Sequence, residues 1–196
     1  MLESSLGYFI NPLLNILLGM LFLGERLRFW QWFAVALAVS GVLLQIVTLG
    51  VFPWIALSLA SSFAVYGLIR KKIAVDSLTG LLVETVMLTP VAVWYLFWHA
   101  DSATSQLTQN ALSLNLWLIA AGIITTVPLL CFTAGAKRLR LSTIGFFQYL
   151  GPSLMFIFAI TLYHEPIVWQ KWLTFALIWS ALVIFSWEAL RFNRQN

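Results

Sequence analysis

The chain has 196 residues, of which 61% are hydrophobic and only 9% charged, and its mean hydropathy is +0.92. Soluble domains carry about 25% charged residues. A disordered segment, a coiled coil and an ordinary cytosolic enzyme are therefore excluded, and an integral membrane protein remains. The formal charge of +4 comes from 11 basic residues in short clusters between apolar runs, which serves membrane topology and does not point to nucleic acid.

A membrane helix needs about 20 mainly apolar residues. Residues 4–24 carry no charge and predict a first span over Ser5–Leu23. Glu3 precedes it, and neither a basic leader nor a small-residue cleavage site flanks it, so it does not read as a signal peptide. Residues 29–69 are also uncharged, enough for two helices, and Leu49-Gly50-Val51-Phe52-Pro53 divides them. Spans two and three are expected over 31–48 and 53–69, and span four over 79–98 with Glu84 and Pro90 inside it. Residues 99–113 are polar and read as a loop, and spans five, six and seven follow over 114–135, 142–163 and 167–187. Ala56, Ala60 and Ala64, with Ser58 and Ser62, make small-residue stripes on span three that read as close helix packing and not as a site.

Lys and Arg gather in cytoplasmic loops. Arg26 and Arg28 follow span one, Arg70, Lys71 and Lys72 follow span three, and Lys137, Arg138 and Arg140 follow span five. Arg191 and Arg194 follow span seven, whereas the intervening loops hold only Lys171. The alternation predicts a multi-pass protein with the N-terminus external and the C-terminus cytoplasmic. Eight of the ten Trp residues lie near the ends of apolar runs, at headgroup level, and Trp94 and Trp179 sit deeper. Cys131 is the single cysteine and reads as a packing residue.

Shifting the chain by 140 positions lays residues 12–40 on 152–180 without a gap. Pro12 meets Pro152, Glu25 meets Glu165, Trp32 meets Trp172 and Ser40 meets Ser180. Matched Leu and Ala are cheap in this composition; matched Pro, Glu and Trp in one register are not. The copies are spans one–two and six–seven, an odd number of spans apart, so they run oppositely through the membrane. Inverted repeats of this kind are common in secondary transporters, with the site near the midplane between them. The second copy follows three spans and the first follows none, so the expected whole has three further helices before residue 1. In that reading residues 1–48 are the last two helices of a first five-helix repeat, and 49–196 are the complete second repeat.

Residues 5–26, with a mid-helix Pro and an apolar run ending in Gly-Glu, resemble the end-of-repeat signature of the EamA family in the drug/metabolite transporter superfamily. Leu141–Glu165 is the second copy, with His164 in place of the Gly. Gly-Tyr-Phe-Ile-Asn-Pro (7–12), Tyr-Gly-Leu-Ile-Arg-Lys-Lys (66–72) and Arg-Leu-Ser-Thr-Ile-Gly-Phe-Phe-Gln-Tyr-Leu-Gly-Pro (140–152) are similar to the RarD-type permeases of that family. The resemblance implies an inner-membrane permease with ten helices in two inverted repeats. The expected fold class is thus all-α, a bundle of about seven transmembrane helices that forms part of that larger fold.

The candidate transport pathway collects polar groups around the two repeat-related prolines. Asn11 and Asn15 are one turn apart on one face of span one, and Pro12 between them frees a backbone carbonyl. In span six, Pro152 follows Gln148, Tyr149 and Gly151. Broken helices with freed polar groups are what transporter sites are built from; the alternative is interhelical hydrogen bonding without a ligand. Glu84 lies inside span four, where an acid marks an ion or substrate pathway unless it pairs with Arg70, Lys71 or Lys72. As a proton carrier, Glu84 would couple uptake to a gradient, and Glu84→Gln would abolish it. Glu25 and Glu165 sit at helix C-termini, where the dipole opposes a carboxylate, so each requires a partner: Arg28 for Glu25, His164 or Lys171 for Glu165.

His99 and His164 stand alone, so no metal or other cofactor is expected. No phosphate-binding Gly-x-x-x-x-Gly-Lys-Ser/Thr occurs, and no catalytic grouping argues for an enzyme. The expected function is secondary transport of a small organic solute, with the bilayer as surroundings. The alternative is a non-transporting membrane module that an oligomeric partner or a complementing membrane segment completes.

Overall fold

The computed structural model describes residues 2–50, 52–99, 110–163 and 169–193. Every regular element among them is helical: α1 (Leu2–Leu23), α2 (Phe29–Leu49), α3 (Trp54–Lys72), α4 (Ser77–Trp98), α5 (Leu112–Arg138), α6 (Leu141–Gln148), α7 (Leu150–Thr161) and α8 (Trp169–Asn193). Five stretches are long and apolar enough to cross a membrane: those of α2, α4, α5, α6–α7 together, and α8. In α1 the apolar stretch is the shorter Gly7–Leu23. Three serines and the basic last turn of Arg70, Lys71 and Lys72 dilute α3.

The expected spans coincide with these helices, with two differences. Span six is broken in two. Pro152 has no N–H to give the Gln148 carbonyl, so α6 stops at Gln148, and the amide of Tyr149 turns back to Phe146 O at 3.1 Å. Pro12, by contrast, is absorbed within a continuous α1. The second difference is the end of α8. It runs past the expected residue 187 to Asn193, which puts Glu188 inside a helix.

The helices group into two compact units, one of Met1–Ile69 with Arg138–Asn196, the other of Arg70–Lys137. In the first, α1 packs on α6 and α2 on α8. Lipid tails are as apolar as Leu, so helices in a bilayer are held by close packing and small residues. Ala34 and Ala38 of α2 and Ile178 and Ala181 of α8 are completely buried. A Cβ at Gly41 would stand 3.2 Å from the Thr174 carbonyl oxygen. Stacked rings fill the interior, with centroids 3.9 Å apart for both Phe146–Phe185 and Phe156–Phe175. On α3 the two small-residue stripes part company: Ala56, Ala60 and Ala64 are buried, whereas Ser58 and Ser62 are exposed.

In the second unit, Arg70 is 2% exposed and its Nη2 donates to Glu84 Oε2 at 3.1 Å. Gly80 makes this possible, because a Cβ there would collide with the Arg70 guanidinium. Lys71 donates to the Ala136 carbonyl at 3.0 Å. Asp76 caps α4 by accepting from Leu78 N at 3.1 Å. That backbone N–H, helped by the one at Ser77, holds the Asp76 carboxyl below its ordinary 3.8. A depressed carboxyl contributes stability that is complete above its unfolded value and is lost as pH falls through the lower folded one. Asp76→Ala is therefore expected to fray the start of α4 at neutral pH and to flatten the acid limb of a circular-dichroism titration below about pH 4. An unchanged acid limb in that variant would remove Asp76 as its source.

Candidate functional site

The amides anticipated from the sequence meet in the first unit, where α1 passes the break between α6 and α7. Gln148 Oε1 accepts from Asn11 Nδ2 at 3.0 Å and from Asn15 Nδ2 at 2.7 Å. Asn15 is completely buried. Both asparagine Oδ1 atoms are sealed from solvent without a hydrogen-bond partner. Buried polar groups are normally paired, so among the described residues these two enclosed oxygens are exceptions. The break is held by a second set of bonds: Trp179 Nε1 donates to Ser153 Oγ at 3.0 Å, and Ser153 Oγ to the Tyr149 carbonyl at 2.8 Å. The Tyr149 hydroxyl in turn donates to Phe9 O at 3.2 Å, on the turn of α1 that Pro12 loosens.

Beside the amides lies a cavity of about 580 Å³. From α1 it is lined by Gly7, Tyr8 and Asn11, and from the α6–α7 break by Gln148, Gly151, Pro152 and Met155. The rest of the lining comes from α3: Leu59, Ala60, Ser62, Phe63 and Tyr66. Its size and its apolar walls with a few convergent polar groups are those of a small-molecule pocket. Four of the anticipated residues border it or its amide cluster directly: Asn11, Asn15, Gln148 and Pro152. Tyr149 is buried behind it. The α3 contribution was not anticipated. Phe63 and Tyr66 are one turn apart, but in a chain that is 15% aromatic such spacing carries no signal.

Glu25 has a partner other than the expected Arg28. Gly24 takes φ 64°, a left-handed turn that ends α1, and Glu25 N returns to Gly19 O at 3.1 Å. The carboxylate then reaches the N-terminus of α6. It accepts from Leu141 N at 2.6 Å, Ser142 N at 2.9 Å and Ser142 Oγ at 2.7 Å. An acid that opposes the dipole of its own helix thus completes the N-terminus of another, where negative charge is favoured. Arg28, for its part, donates its backbone N–H to Gln31 Oε1 at 3.0 Å. Glu165 and His164 lie outside the described residues.

Glu84 is in the second unit, held by Arg70, with its side chain 40% exposed. A carboxylate that the sequence reading did not single out is more deeply enclosed. Glu188 is 7% exposed, and its Oε2 has no hydrogen-bond partner. It was passed over because the apolar run ends at Trp187. Cys131 is exposed rather than packed.

The chain is 65% identical over its whole length to Protein RarD of Salmonella typhi, of which it covers 67%. It is 64% identical to Protein RarD of Escherichia coli (strain K12), covering 66% of that protein. An uncharacterized transporter of Vibrio cholerae is 60% identical over 97% of the chain, which covers 63% of it. The EamA-like transporter family matches residues 52–187. The chain belongs to that family. With its RarD relatives it is a multi-pass membrane protein of a transporter family, and it spans about two-thirds of their length. The family match runs from the start of α3 into α8 and so includes the Gln148–Pro152 side of the pocket.

Proposed function

We propose that this chain forms part of a secondary transporter for a small organic solute, and that the cavity between α1, α3 and the α6–α7 break is its binding site. The observation that carries the reading is the three-amide cluster of Asn11, Asn15 and Gln148 at the edge of that cavity. Polar groups are expensive in a bilayer and concentrate on pathways. The whole transporter would have ten helices in two inverted five-helix repeats. Residues 1–48 would be the last two helices of the first repeat and 49–196 the second, with the rest in the further third that the relatives possess. Two features support this. Under the 140-residue shift Pro12 and Pro152 correspond; Pro152 lines the cavity, and Pro12 directly follows Asn11, which also lines it. The same shift exchanges Gly41 with Ala181 and Ala38 with Ile178, all buried between α2 and α8, as a two-fold relation between the copies requires.

The membrane is the inner cell membrane in this reading, with the N-terminus external and the C-terminus cytoplasmic. Reporter fusions at Ser105 are expected to read external and fusions at Asn196 cytoplasmic; the reverse at both would end the orientation. Glu84, paired with Arg70, is better explained as half of a structural ion pair than as a proton carrier.

Solute counterflow in proteoliposomes tests the transport reading. The chain is reconstituted alone and together with the additional third of a RarD relative. Gln148→Leu is expected to lower counterflow at least tenfold without changing insertion. Equal counterflow from Gln148→Leu and the parent would sink the site. A second reading is a membrane module completed by another chain. The apolar faces of α4 and α5 favour it: only Ser77 and Gly80 of α4, and Thr133 and Ala136 of α5, are buried. Flux that appears only with the additional third would support it.

A further inference from the structure

We infer that the pocket accepts an uncharged, flat-ringed solute that presents a hydrogen-bond acceptor to the Gln148 amide. This rests on the pocket being the solute site, and it goes further by naming the class of solute.

Charge comes first. Among the described residues that line the pocket none is ionisable at neutral pH; the polar ones are Asn11, Gln148, Ser62 and two tyrosines. The acids of the described helices do not line it: Glu188 is enclosed on α8, and two others are committed to partners. Glu25 caps α6 through three hydrogen bonds, and Glu84 is paired with Arg70. A solute ion would leave water for a site without a counter-charge, the most costly kind of burial. A neutral solute loses far less.

The polar end decides the direction of the hydrogen bond. Both asparagine amides donate to the Gln148 oxygen, which fixes the orientation of that side chain. Its acceptor capacity is thereby filled from the protein. Among the described residues its N–H₂ group has no partner, and it is not sealed from solvent, whereas both asparagine Oδ1 atoms are. A planar amide with a saturated oxygen and two idle N–H groups calls for an acceptor, such as a ketone, ester or amide oxygen. Ser62 adds little competition, because its hydroxyl is spent on Leu59 O at 2.8 Å.

The walls supply the shape. Phe63 and Tyr66 stand with ring centroids 6.0 Å apart on α3, and Tyr8 faces the same space from α1. Aromatic walls reward flat rings by offset and edge contacts. Gly7 and Gly151 leave the remaining sides bare of side chain.

Three probes of nearly equal shape separate the possibilities: 2-acetylnaphthalene, neutral with an acceptor; 2-naphthamidine, a cation; and 2-naphthoate, an anion. Binding is measured by equilibrium dialysis against nanodiscs with and without the full chain. The ketone is expected to bind saturably, and each ion at least tenfold more weakly. Gln148→Leu is expected to weaken the ketone about tenfold, the loss of one hydrogen bond. Because that change also disturbs Asn11 and Asn15, Gly151→Phe serves as a second variant. A Cβ at Gly151 meets no atom within 4 Å, so the ring can grow into the cavity, and ketone binding is expected to vanish. If either ion binds as tightly as the ketone, and Gly151→Phe blocks both, the neutral class is wrong while the site stands. If ketone binding survives Gly151→Phe, or no saturable binding occurs, the site reading itself fails and takes this inference with it.

Discussion

Glu25→Ala is expected to destabilise the first unit by about 2–4 kcal/mol, the loss of several charge-assisted hydrogen bonds discounted for partial hydration at the helix end. The carboxylate satisfies Leu141 N, Ser142 N and Ser142 Oγ together. Leu141 is completely buried and Ser142 nearly so, which leaves little room for water to replace it. Denaturant titration in bicelles measures the loss, and hydrogen exchange locates it: the amides of Leu141 and Ser142 should exchange faster while those in α8 do not. Glu25→Gln is expected to fall between, because one amide oxygen still accepts while the NH₂ faces donors. Ser142→Ala removes one bond of the three and should cost about 1 kcal/mol. If Glu25→Ala unfolds at the same denaturant concentration as the parent, the carboxylate does not hold α6.

Gly145→Ala is expected to cost about 1–3 kcal/mol by overpacking. At this position α1 and α6 cross with almost nothing between them. A methyl group would lie 2.6 Å from the Pro12 carbonyl oxygen and 3.2 Å from Ile16 Cγ1. The nearer obstacle is backbone, so it cannot rotate away. Relief requires α1 to move off α6, and that would stretch the bonds of 3.0 and 2.7 Å from Asn11 and Asn15 to Gln148. Stability and probe binding should fall together. The control is Gly122→Ala, where the added methyl meets no atom within 4 Å. There, helix propensity alone acts and favours Ala by about 0.5–1 kcal/mol. Equal stabilities for the two variants would mean that the crossing is looser than the structure has it.

The long apolar stretches located the described helices, except that α6 and α7 were expected as one span. The reason is local: with no water in the bilayer core, a long apolar segment must satisfy its backbone within itself, and the helix does that. The family signature was legible for a related reason. Gly24-Glu25 and the two prolines are fixed by backbone needs of their own neighbourhoods, a left-handed turn in one case and a missing N–H in the other. The break at Tyr149 was half legible, because Pro152 announces a lost bond. Yet Pro12 announces the same, and α1 runs straight through it. What differs is the surroundings: the Trp179–Ser153–Tyr149 bonds hold the broken turn in one copy, and the Tyr149 hydroxyl supports the loosened turn in the other.

Partners were legible only in part: Arg70 stood among the cations named for Glu84. Glu25 was assigned to an arginine three residues away and instead caps a helix that starts 116 residues later. The pocket's α3 wall, and the enclosure of Glu188, likewise had no mark in the sequence. Apolarity says only that a helix lies in lipid or protein. Which side chains meet depends on which helices touch and at what register, and small residues such as Gly145 and Ala38 settle that by how closely they let two backbones approach. The sequence by itself determined the medium, the helices and the residues able to carry polar chemistry; the tertiary structure decided which of those residues face one another, because that is a property of contacts between helices far apart in the chain.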